Sequence, residues 1–217
     1  MPLLFLDLDN TLVDREAAYR AWATSYLAER GSRADLLEAM VLADGDGLRY
    51  KPEVADDLAE LLGLSPQDKE SIVKVLRAGV VAHLSLVPGA AEALASAREA
   101  GWTPFIVTNG VEAQQEAKIR GLGLDAMVAG WVISDACGVR KPDPTIFDLA
   151  AQQAGEPLAG AWMIGDSAEA DIAGAHAAGL RSVYLPRGRA WTADVPPATA
   201  DADSLVEAVR LVLAWEG

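Results

Sequence analysis

Short apolar segments and helical segments alternate from about residue 86 to about residue 186, and this alternation leaves the chain few possible folds. The apolar segments, which we expect to be strands, are residues 103–108, 127–133, 161–164 and 181–185. Residues 3–8 add a first strand, which is apolar except for Asp7. Since the connections between the strands are short and helical, the strands have to run parallel. The pattern therefore predicts an α/β fold with a doubly wound parallel sheet.

A block that is helical throughout, from Asp14 to about His83, separates the first strand from the others. We expect it to be a separate unit, because it lies inside one connection of the sheet. The predicted division is a Rossmann-like core of residues 1–13 and 86–217, with an all-helical cap of residues 14–85 inserted into it. A rigid unit joined to the core by two short links can hinge, closing to exclude water and opening to release product.

The composition limits the possible binding partners and the cellular location of the protein. A chain of 217 residues with 51% hydrophobic residues can bury a full core. Its formal net charge of −14 argues against nucleic acid or an anionic membrane as partner, but not against a small anionic substrate. Cys137 is the one cysteine, so no internal disulfide can form. With no signal-peptide pattern and no long apolar run, we expect a soluble cytoplasmic protein that is a monomer or small homo-oligomer.

Two aspartates, Asp7 and Asp9, stand at the end of the first strand. Side chains two residues apart in a strand point the same way, so both carboxylates are expected to converge on one point. Carboxylates this close repel each other unless a cation or a shared proton offsets the charge. The alternative is an ordinary strand end followed by a turn, in which Asn10 and Thr11 bond the local backbone.

Polar residues also follow the other strands, at the sheet edge where ligands bind in such folds. They form the segments Thr108-Asn109-Gly110, Arg140-Lys141-Pro142 and Gly165-Asp166-Ser167, with Asp171 five residues after Asp166. With the first strand, the edge would collect four carboxylates, a hydroxyl and amide pair, and one ammonium. For Lys141 the alternative is a solvated surface lysine.

These segments, in this order, resemble the four motifs of the haloacid dehalogenase-like hydrolase superfamily. Asp7-x-Asp9-x-Thr11 resembles the first motif and Thr108-Asn109 the second. Lys141 resembles the third motif and Gly165-Asp166-x-x-x-x-Asp171 the fourth. The resemblance covers residues 1–13 and roughly 86–186, and the helical block is similar to the small cap of one subgroup.

The resemblance implies a phosphatase with an aspartyl-phosphate intermediate. It assigns Asp7 as the nucleophile and Asp9 as the group that protonates the leaving alkoxide and then deprotonates the attacking water. Thr108 and the amide of Asn109 would bond the phosphoryl oxygens. Lys141 would offset charge on Asp7 and on the phosphoryl group.

The resemblance also implies a Mg²⁺ cofactor. Asp166, an oxygen of Asp7 and the backbone carbonyl of Asp9 would hold this hard cation, which prefers oxygen ligands. Asp171 completes the set of metal-site residues. It would act through a water or by orienting Lys141.

The second aspartate narrows the reaction. In the dehalogenase branch the position of Asp9 is typically not an acid, because a carbon–halogen bond needs no protonation of the leaving group. We therefore expect hydrolysis of a small phosphorylated metabolite, either a sugar phosphate or a nucleoside monophosphate. A phosphomutase of the same superfamily and a catalytically silent binding module remain the alternatives.

Substrate choice is expected to depend on the cap. The residues best suited to grip a polar or aromatic leaving group are Arg15, Trp22, Arg49, Tyr50 and Lys51, and an aromatic ring among them could stack on a base or sugar.

Three arginines lie at the last predicted strand. Arg181 begins this strand, and Arg187 and Arg189 follow it. We expect a solvated basic rim there, with contact to a substrate anion as the alternative.

Overall fold

The computed structural model describes residues 1–31, 33–191 and 194–215, and a parallel sheet lies at its centre. The six strands are β1 (Leu3–Leu6), β2 (Thr103–Thr108), β3 (Trp131–Ile133), β4 (Trp162–Gly165), β5 (Arg181–Tyr184) and β6 (Ala200–Asp201). Their order across the sheet is β3-β2-β1-β4-β5-β6, and every pairing is parallel. The predicted α/β class with a Rossmann-like parallel sheet is confirmed.

The helices that flank the sheet lie between or after the strands. They are α5 (Ala90–Glu99), α6 (Glu112–Gly121), α7 (Ser134–Cys137), α8 (Thr145–Ala154), α9 (Ala173–Ala177) and α10 (Leu205–Leu213). β1, β2 and β4 are buried along their whole length, as expected for strands covered on both faces. On one face, the ring of Phe5 packs 5.6 Å from that of Phe147 on α8, so this helix is held directly against the central strand.

The predicted third strand, residues 127–133, is wrong in its first half. β3 begins only at Trp131, and Leu124–Ala126 form a 3₁₀ turn before it. Pro104 of the neighbouring β2 explains the late start, because proline has no N–H to donate to a ladder. Its carbonyl accepts from the N–H of Ala129 at 2.9 Å, but regular pairing starts only with Ile106 opposite Trp131.

By its internal contacts the chain divides into two compact units, one of Met1–Val13 with Leu86–Gly217 and one of Asp14–Ser85. The second unit is helical, with α1 (Arg15–Glu29), α2 (Leu37–Asp44), α3 (Lys51–Leu62) and α4 (Pro66–His83). The side chain of Asp14 caps α1 by accepting from the N–H of Ala17. Ser65 caps α4 in the same way.

Trp22 has a packing role in the core of the helical unit. Its ring lies 5.3 Å from that of Tyr19 and 5.2 Å from that of Tyr26, and it is almost fully buried. Gly79 on α4 faces this ring so closely that a Cβ there would lie 1.9 Å from a ring carbon. The interpretation of Trp22 as a stacking surface for a substrate was therefore wrong.

Three cationic residues predicted to contact the leaving group form ion pairs with aspartates of the same unit. Arg15 donates to both carboxylate oxygens of Asp44, at 2.5 and 2.9 Å, and Lys51 lies 3.2 Å from the same carboxylate. Arg49 pairs with Asp57 at 2.5 Å. In contrast, the side chain of Tyr50 is exposed.

Across the described residues, no helix combines the length and the apolar character that crossing a membrane requires.

Candidate active site

The predicted site residues meet at the carboxyl edge of the three central strands. Asp7 follows β1, Thr108 ends β2, and Asp166 follows β4. These strands are neighbours in the order β2-β1-β4, so their ends deliver three polar side chains to one edge.

Lys141 lies at the centre of this edge, and 2% of its side chain is exposed. Its ammonium donates to Oδ1 of Asp7 at 2.6 Å and to the carbonyl of Val107 at 2.5 Å. Oδ1 of Asp171 lies 2.7 Å from the same nitrogen. Burial opposes the charged ammonium, but the charges and hydrogen bonds of Asp171 and Asp7 raise the pKa of Lys141 above its ordinary value. Lys141 is therefore a buried cation between two carboxylates, and the alternative of a solvated surface lysine was wrong.

Asn109 holds the backbone that carries Lys141. Its side-chain amide donates to the carbonyl of Lys141 at 2.9 Å, and its side-chain oxygen accepts from the N–H of Lys141 at 2.9 Å. Because both ends of the amide are used this way, the Asn109 side chain fixes the loop from which the ammonium reaches the strand ends.

Burial raises the pKa of the Asp7 carboxyl well above its usual value. The charge of Lys141 acts in the opposite direction, while those of Asp171 and Asp166 raise the pKa further. The local environment of Asp7 therefore has an excess of negative charge, which a bound cation would offset.

Carboxylate oxygens of Asp7, Asp166 and Asp171 all lie within 4.8 Å of one another, and the three residues are buried. An all-oxygen donor set is suited to a hard cation such as Mg²⁺. The residues present therefore fit a divalent metal site. The Asp9 carboxylate does not belong to this cluster, which leaves its backbone carbonyl as the group predicted to face a metal.

A wide helical turn after β4 brings Asp171 back to the strand end. Residues Ala168–Ile172 form a π-helical turn, which continues into α9. Oδ2 of Asp171 accepts from the N–H of Ser167 at 2.9 Å. Gly165 is required for this approach, because a Cβ at that position would lie 2.2 Å from Oδ2 of Asp171.

Asp9 is held by two residues of α6 that the sequence did not reveal as site residues. The ammonium of Lys118 lies 2.7 Å from Oδ1 and 2.6 Å from Oδ2 of Asp9. Gln115 donates to Oδ2 of Asp9 at 3.2 Å and to Oγ1 of Thr108 at 2.7 Å. The two residues are three apart on one face of the helix that follows Thr108, but this helix is polar over most of its length, so the spacing alone does not single them out.

Arg189, predicted to lie on a solvated rim, instead contacts the acidic cluster. Its guanidinium donates to Oδ2 of Asp166 at 2.6 Å and to the backbone carbonyl of Asp166. The interpretation as a purely solvated arginine was therefore wrong. Arg181 does follow the expectation of an exposed residue, lying 5.8 Å from the ring centres of Trp162 and Trp215.

Among the described residues at this edge, four carboxylates face three cations. The carboxylates are those of Asp7, Asp9, Asp166 and Asp171, and the cations are Lys118, Lys141 and Arg189. When all seven groups are ionised, the set carries one negative charge in excess, so a bound divalent cation would make it net positive and able to receive an anion.

Comparison with known proteins agrees with this geometry. A model of the haloacid dehalogenase-like hydrolases matches residues 1–179. The chain is 33% identical over 208 residues to glyceraldehyde 3-phosphate phosphatase of Pyrococcus abyssi, and the match covers 86% of this chain and 82% of that protein. It is 30% identical over 198 residues to phosphoglycolate phosphatase of Cereibacter sphaeroides, covering 87% of this chain and 86% of that one.

Solved structures with the same fold include a hydrolase of this family from Deinococcus radiodurans, determined with bound phosphate and sodium. It is 27% identical, with a TM-score of 0.74 and coverage of 99% of this chain and 95% of that one. YfnB from Bacillus subtilis has a TM-score of 0.77 at 24% identity, over 97% of this chain and 98% of that one, and shows likeness of fold alone. The resemblance seen in the four motifs is confirmed, and the chain belongs to the haloacid dehalogenase-like hydrolase family.

Proposed function

We propose that this chain is a Mg²⁺-dependent phosphatase that hydrolyses small phosphate monoesters through an aspartyl-phosphate on Asp7. The observation that carries the proposal is the pairing of two carboxylates from one strand end with two different lysines. Asp7 is buried against Lys141, and Asp9 is held separately by Lys118. One strand end thus presents a nucleophile and an acid as distinct groups.

Asp7 is assigned as the nucleophile. Its carboxylate attacks phosphorus, an oxygen–phosphorus bond forms, and the bond from phosphorus to the leaving oxygen breaks. Lys141, at 2.6 Å from Oδ1, favours the ionised carboxylate that this step requires.

Asp9 is assigned as the acid and then the base. It gives a proton to the leaving alkoxide in the first step. In the second step it takes a proton from the water that attacks the aspartyl-phosphate, which releases inorganic phosphate and restores Asp7.

Three donors are assigned to bind the oxygens of the transferring phosphoryl group: the hydroxyl of Thr108, the backbone N–H of Asn109 and the ammonium of Lys141. Such donors stabilise charge where it develops in the transition state, and they act more strongly in a buried site than in water.

A divalent cation would be held by carboxylate oxygens of Asp7 and Asp166, with the backbone carbonyl of Asp9. When bound, it supplies charge neutralisation to the phosphoryl oxygens as a Lewis acid. Asp171 is assigned to orienting Lys141. In support of this, its Oδ1 lies 2.7 Å from that ammonium and its Oδ2 accepts from the N–H of Ser167.

The substrate class is a small metabolite monoester. The relatives named for glyceraldehyde 3-phosphate and for phosphoglycolate suggest short-chain esters, while a relative named as a pyrimidine 5'-nucleotidase matches only 37% of this chain. The helical unit Asp14–Ser85 is assigned as the cap that contacts the leaving group. We expect neither nucleic acid nor a membrane as partner, and a monomer or small homo-oligomer.

The test is phosphate release from a panel of monoesters, with and without added Mg²⁺. The panel contains an aryl phosphate, short-chain sugar phosphates, phosphoglycolate, phosphoserine and nucleoside monophosphates, and a 2-haloacid serves as the control for dehalogenation. We expect Mg²⁺-dependent phosphate release and no halide release. Halide release without phosphate release would overturn the proposal.

A further inference from the structure

The ammonium of Lys118 contacts both carboxylate oxygens of Asp9. The two Nζ–oxygen distances are 2.7 and 2.6 Å, and 3% of the lysine side chain is exposed against 25% of the aspartate side chain. A carboxylate that is partly exposed on a turn can rotate about its side-chain bonds unless other groups hold it. Lys118 supplies a fixed donor for both oxygens. It lies on α6, the helix that follows β2, and β2 is a neighbour of β1 in the sheet.

Burying an ammonium is costly unless it is paired and hydrogen-bonded. The residues of α6 that are buried are Gln115, Lys118 and Ile119, so two of three are polar. An apolar residue would pack against the sheet at lower cost. A helix face used only for packing therefore does not account for these two residues, whereas holding Asp9 does.

Gln115 connects Asp9 to Thr108. Its side-chain amide donates to Oδ2 of Asp9 at 3.2 Å and to Oγ1 of Thr108 at 2.7 Å. Gly110 makes room for this bridge, since a Cβ there would lie 2.9 Å from Cδ of Gln115. One amide thus sets the distance between the acid and a residue assigned to the phosphoryl group.

We propose that Lys118 and Gln115 are positioning residues, which fix the direction of the Asp9 carboxyl group relative to Thr108 so that it faces the leaving oxygen. The inference rests on the proposed function, because it needs Asp9 to transfer a proton during ester cleavage. Neither residue is proposed to touch the substrate. Lys118 acts through Asp9, whereas Gln115 also contacts Thr108.

The experiment compares first-turnover rates on an alkyl phosphate and on an aryl phosphate with an acidic leaving group. The variants are Lys118→Met, Asp9→Asn and the double variant, with Arg120→Met as the control. Arg120 lies on the same helix but is exposed, and it pairs with Glu116 one turn away. Arg120→Met is expected to leave both rates unchanged.

We expect Lys118→Met to lower the alkyl phosphate rate about tenfold more than the aryl phosphate rate, because an acidic leaving group needs little protonation. In the Asp9→Asn background, the same lysine substitution should change the alkyl rate by less than about twofold, since residues that act through one group are not additive. A merely structural lysine would slow both esters together and would keep its effect in the Asp9→Asn background.

Equal losses on the two esters, or an undiminished effect in the double variant, would overturn the inference. If Lys118→Met shows no cooperative thermal unfolding, Lys118→Gln replaces it in the same cycle, because a neutral amide cannot supply the ammonium that contacts both oxygens of Asp9; the two outcomes are read in the same way. If the wild-type chain releases phosphate from neither ester, the proposed function itself is refuted. The two failures can be told apart, because the inference about Lys118 and Gln115 is tested only if the wild-type chain hydrolyses the esters.

Discussion

The ammonium of Lys141 lies 2.6 Å from Oδ1 of Asp7, although 134 positions separate the two residues in the chain. Asp171 shares the same ammonium at 2.7 Å, so one buried cation serves two buried carboxylates. The excess negative charge agrees with the direction of the Asp7 pKa, which burial raises and which Asp171 and Asp166 raise further. Ionised Asp7 therefore lowers the stability of the fold, a cost that is typical of reactive sites.

We expect Asp7→Asn to lower phosphatase turnover by more than about a thousandfold while stability holds or rises. An acid with a raised folded-state pKa destabilises the fold at a pH where it is ionised, and the amide removes that cost. Lys141 keeps Asp171 and the carbonyl of Val107 as partners. The measurements are phosphate release and thermal unfolding at neutral pH, with the exposed Asp148→Asn as the matched control. Turnover near the wild-type rate would remove Asp7 from the role of nucleophile.

Removing divalent metal should abolish turnover reversibly. The carboxylates of Asp7 and Asp166 belong to the cluster that fits a hard cation. Asp166→Asn should weaken the apparent affinity for Mg²⁺ by about 10- to 100-fold, a typical loss for a perturbed metal site. Calorimetric titration of the apo chain with Mg²⁺ measures that affinity without relying on activity. Undiminished turnover in excess chelator would contradict the metal requirement.

The sequence predicted the parts of the site that follow strand ends. A parallel sheet brings all its carboxyl ends to one edge, so Asp7, Thr108 and Asp166 could be assigned to one edge before the structure was known. Each of these residues is next to an apolar strand that marks its position. Lys141 was placed by the resemblance, and the structure adds that its ammonium is buried.

Lys118 and Gln115 could not be found in this way, because they lie within a helix. α6 has few large apolar residues, so no apolar stripe shows which of its faces is buried. Likewise, Arg189 is separated by 23 positions from its partner Asp166. Contacts of this kind depend on how elements pack, and one sequence carries no local signal for them.

Asp9→Asn should slow the hydrolysis of alkyl phosphates more than that of phosphates with acidic leaving groups. The amide cannot protonate the leaving oxygen, and an acidic leaving group needs less protonation. Because breakdown of the intermediate is also assigned to Asp9, the aspartyl-phosphate should accumulate with the aryl ester. Acid quenching followed by intact-protein mass spectrometry detects it. Equal first-turnover losses across a leaving-group series would remove Asp9 from the role of acid.

The stability of the helical unit should fall as the pH drops below about 4, where unpaired aspartates take up protons. Burial opposes the charge of Asp44, but the hydrogen bonds and charge of Arg15, with the charge of Lys51, hold the pKa of that carboxyl below its usual value. A depressed carboxyl pKa contributes stability above the unfolded-state pKa, and this is lost as the pH falls through the folded-state pKa.

Asp44→Asn should therefore cost about 3 kcal/mol near neutral pH, since it removes the carboxylate of a buried ion pair with Arg15. The difference from the wild type should shrink on acidification. Thermal unfolding between about pH 7 and about pH 3 measures both effects. Asp56→Asn, at an exposed carboxylate of the same unit, is the control. A difference that stays constant with pH would show that Asp44 contributes through packing alone.

Substrate preference should respond most to Tyr50 among the cap residues that we singled out. Trp22 is buried in the core of the helical unit, and Arg15 is bound to Asp44, whereas 69% of Tyr50 is exposed. The residues assigned to the phosphoryl group meet the same chemistry in every monoester, so discrimination has to come from groups that meet the leaving group. An exposed ring supplies apolar area together with a hydroxyl.

We expect Tyr50→Ala to change the order of kcat/KM values across the monoester panel while the requirement for Mg²⁺ remains. Tyr50→Phe separates the hydroxyl from the ring, and Val75→Ala, at another exposed apolar position of the same unit, controls for general effects on the surface. Substitutions in the core, such as Asp166→Asn, should instead lower activity on all substrates together. If Tyr50→Ala reduces every kcat/KM by one common factor, the helical unit acts only to exclude water and Tyr50 is not a specificity determinant.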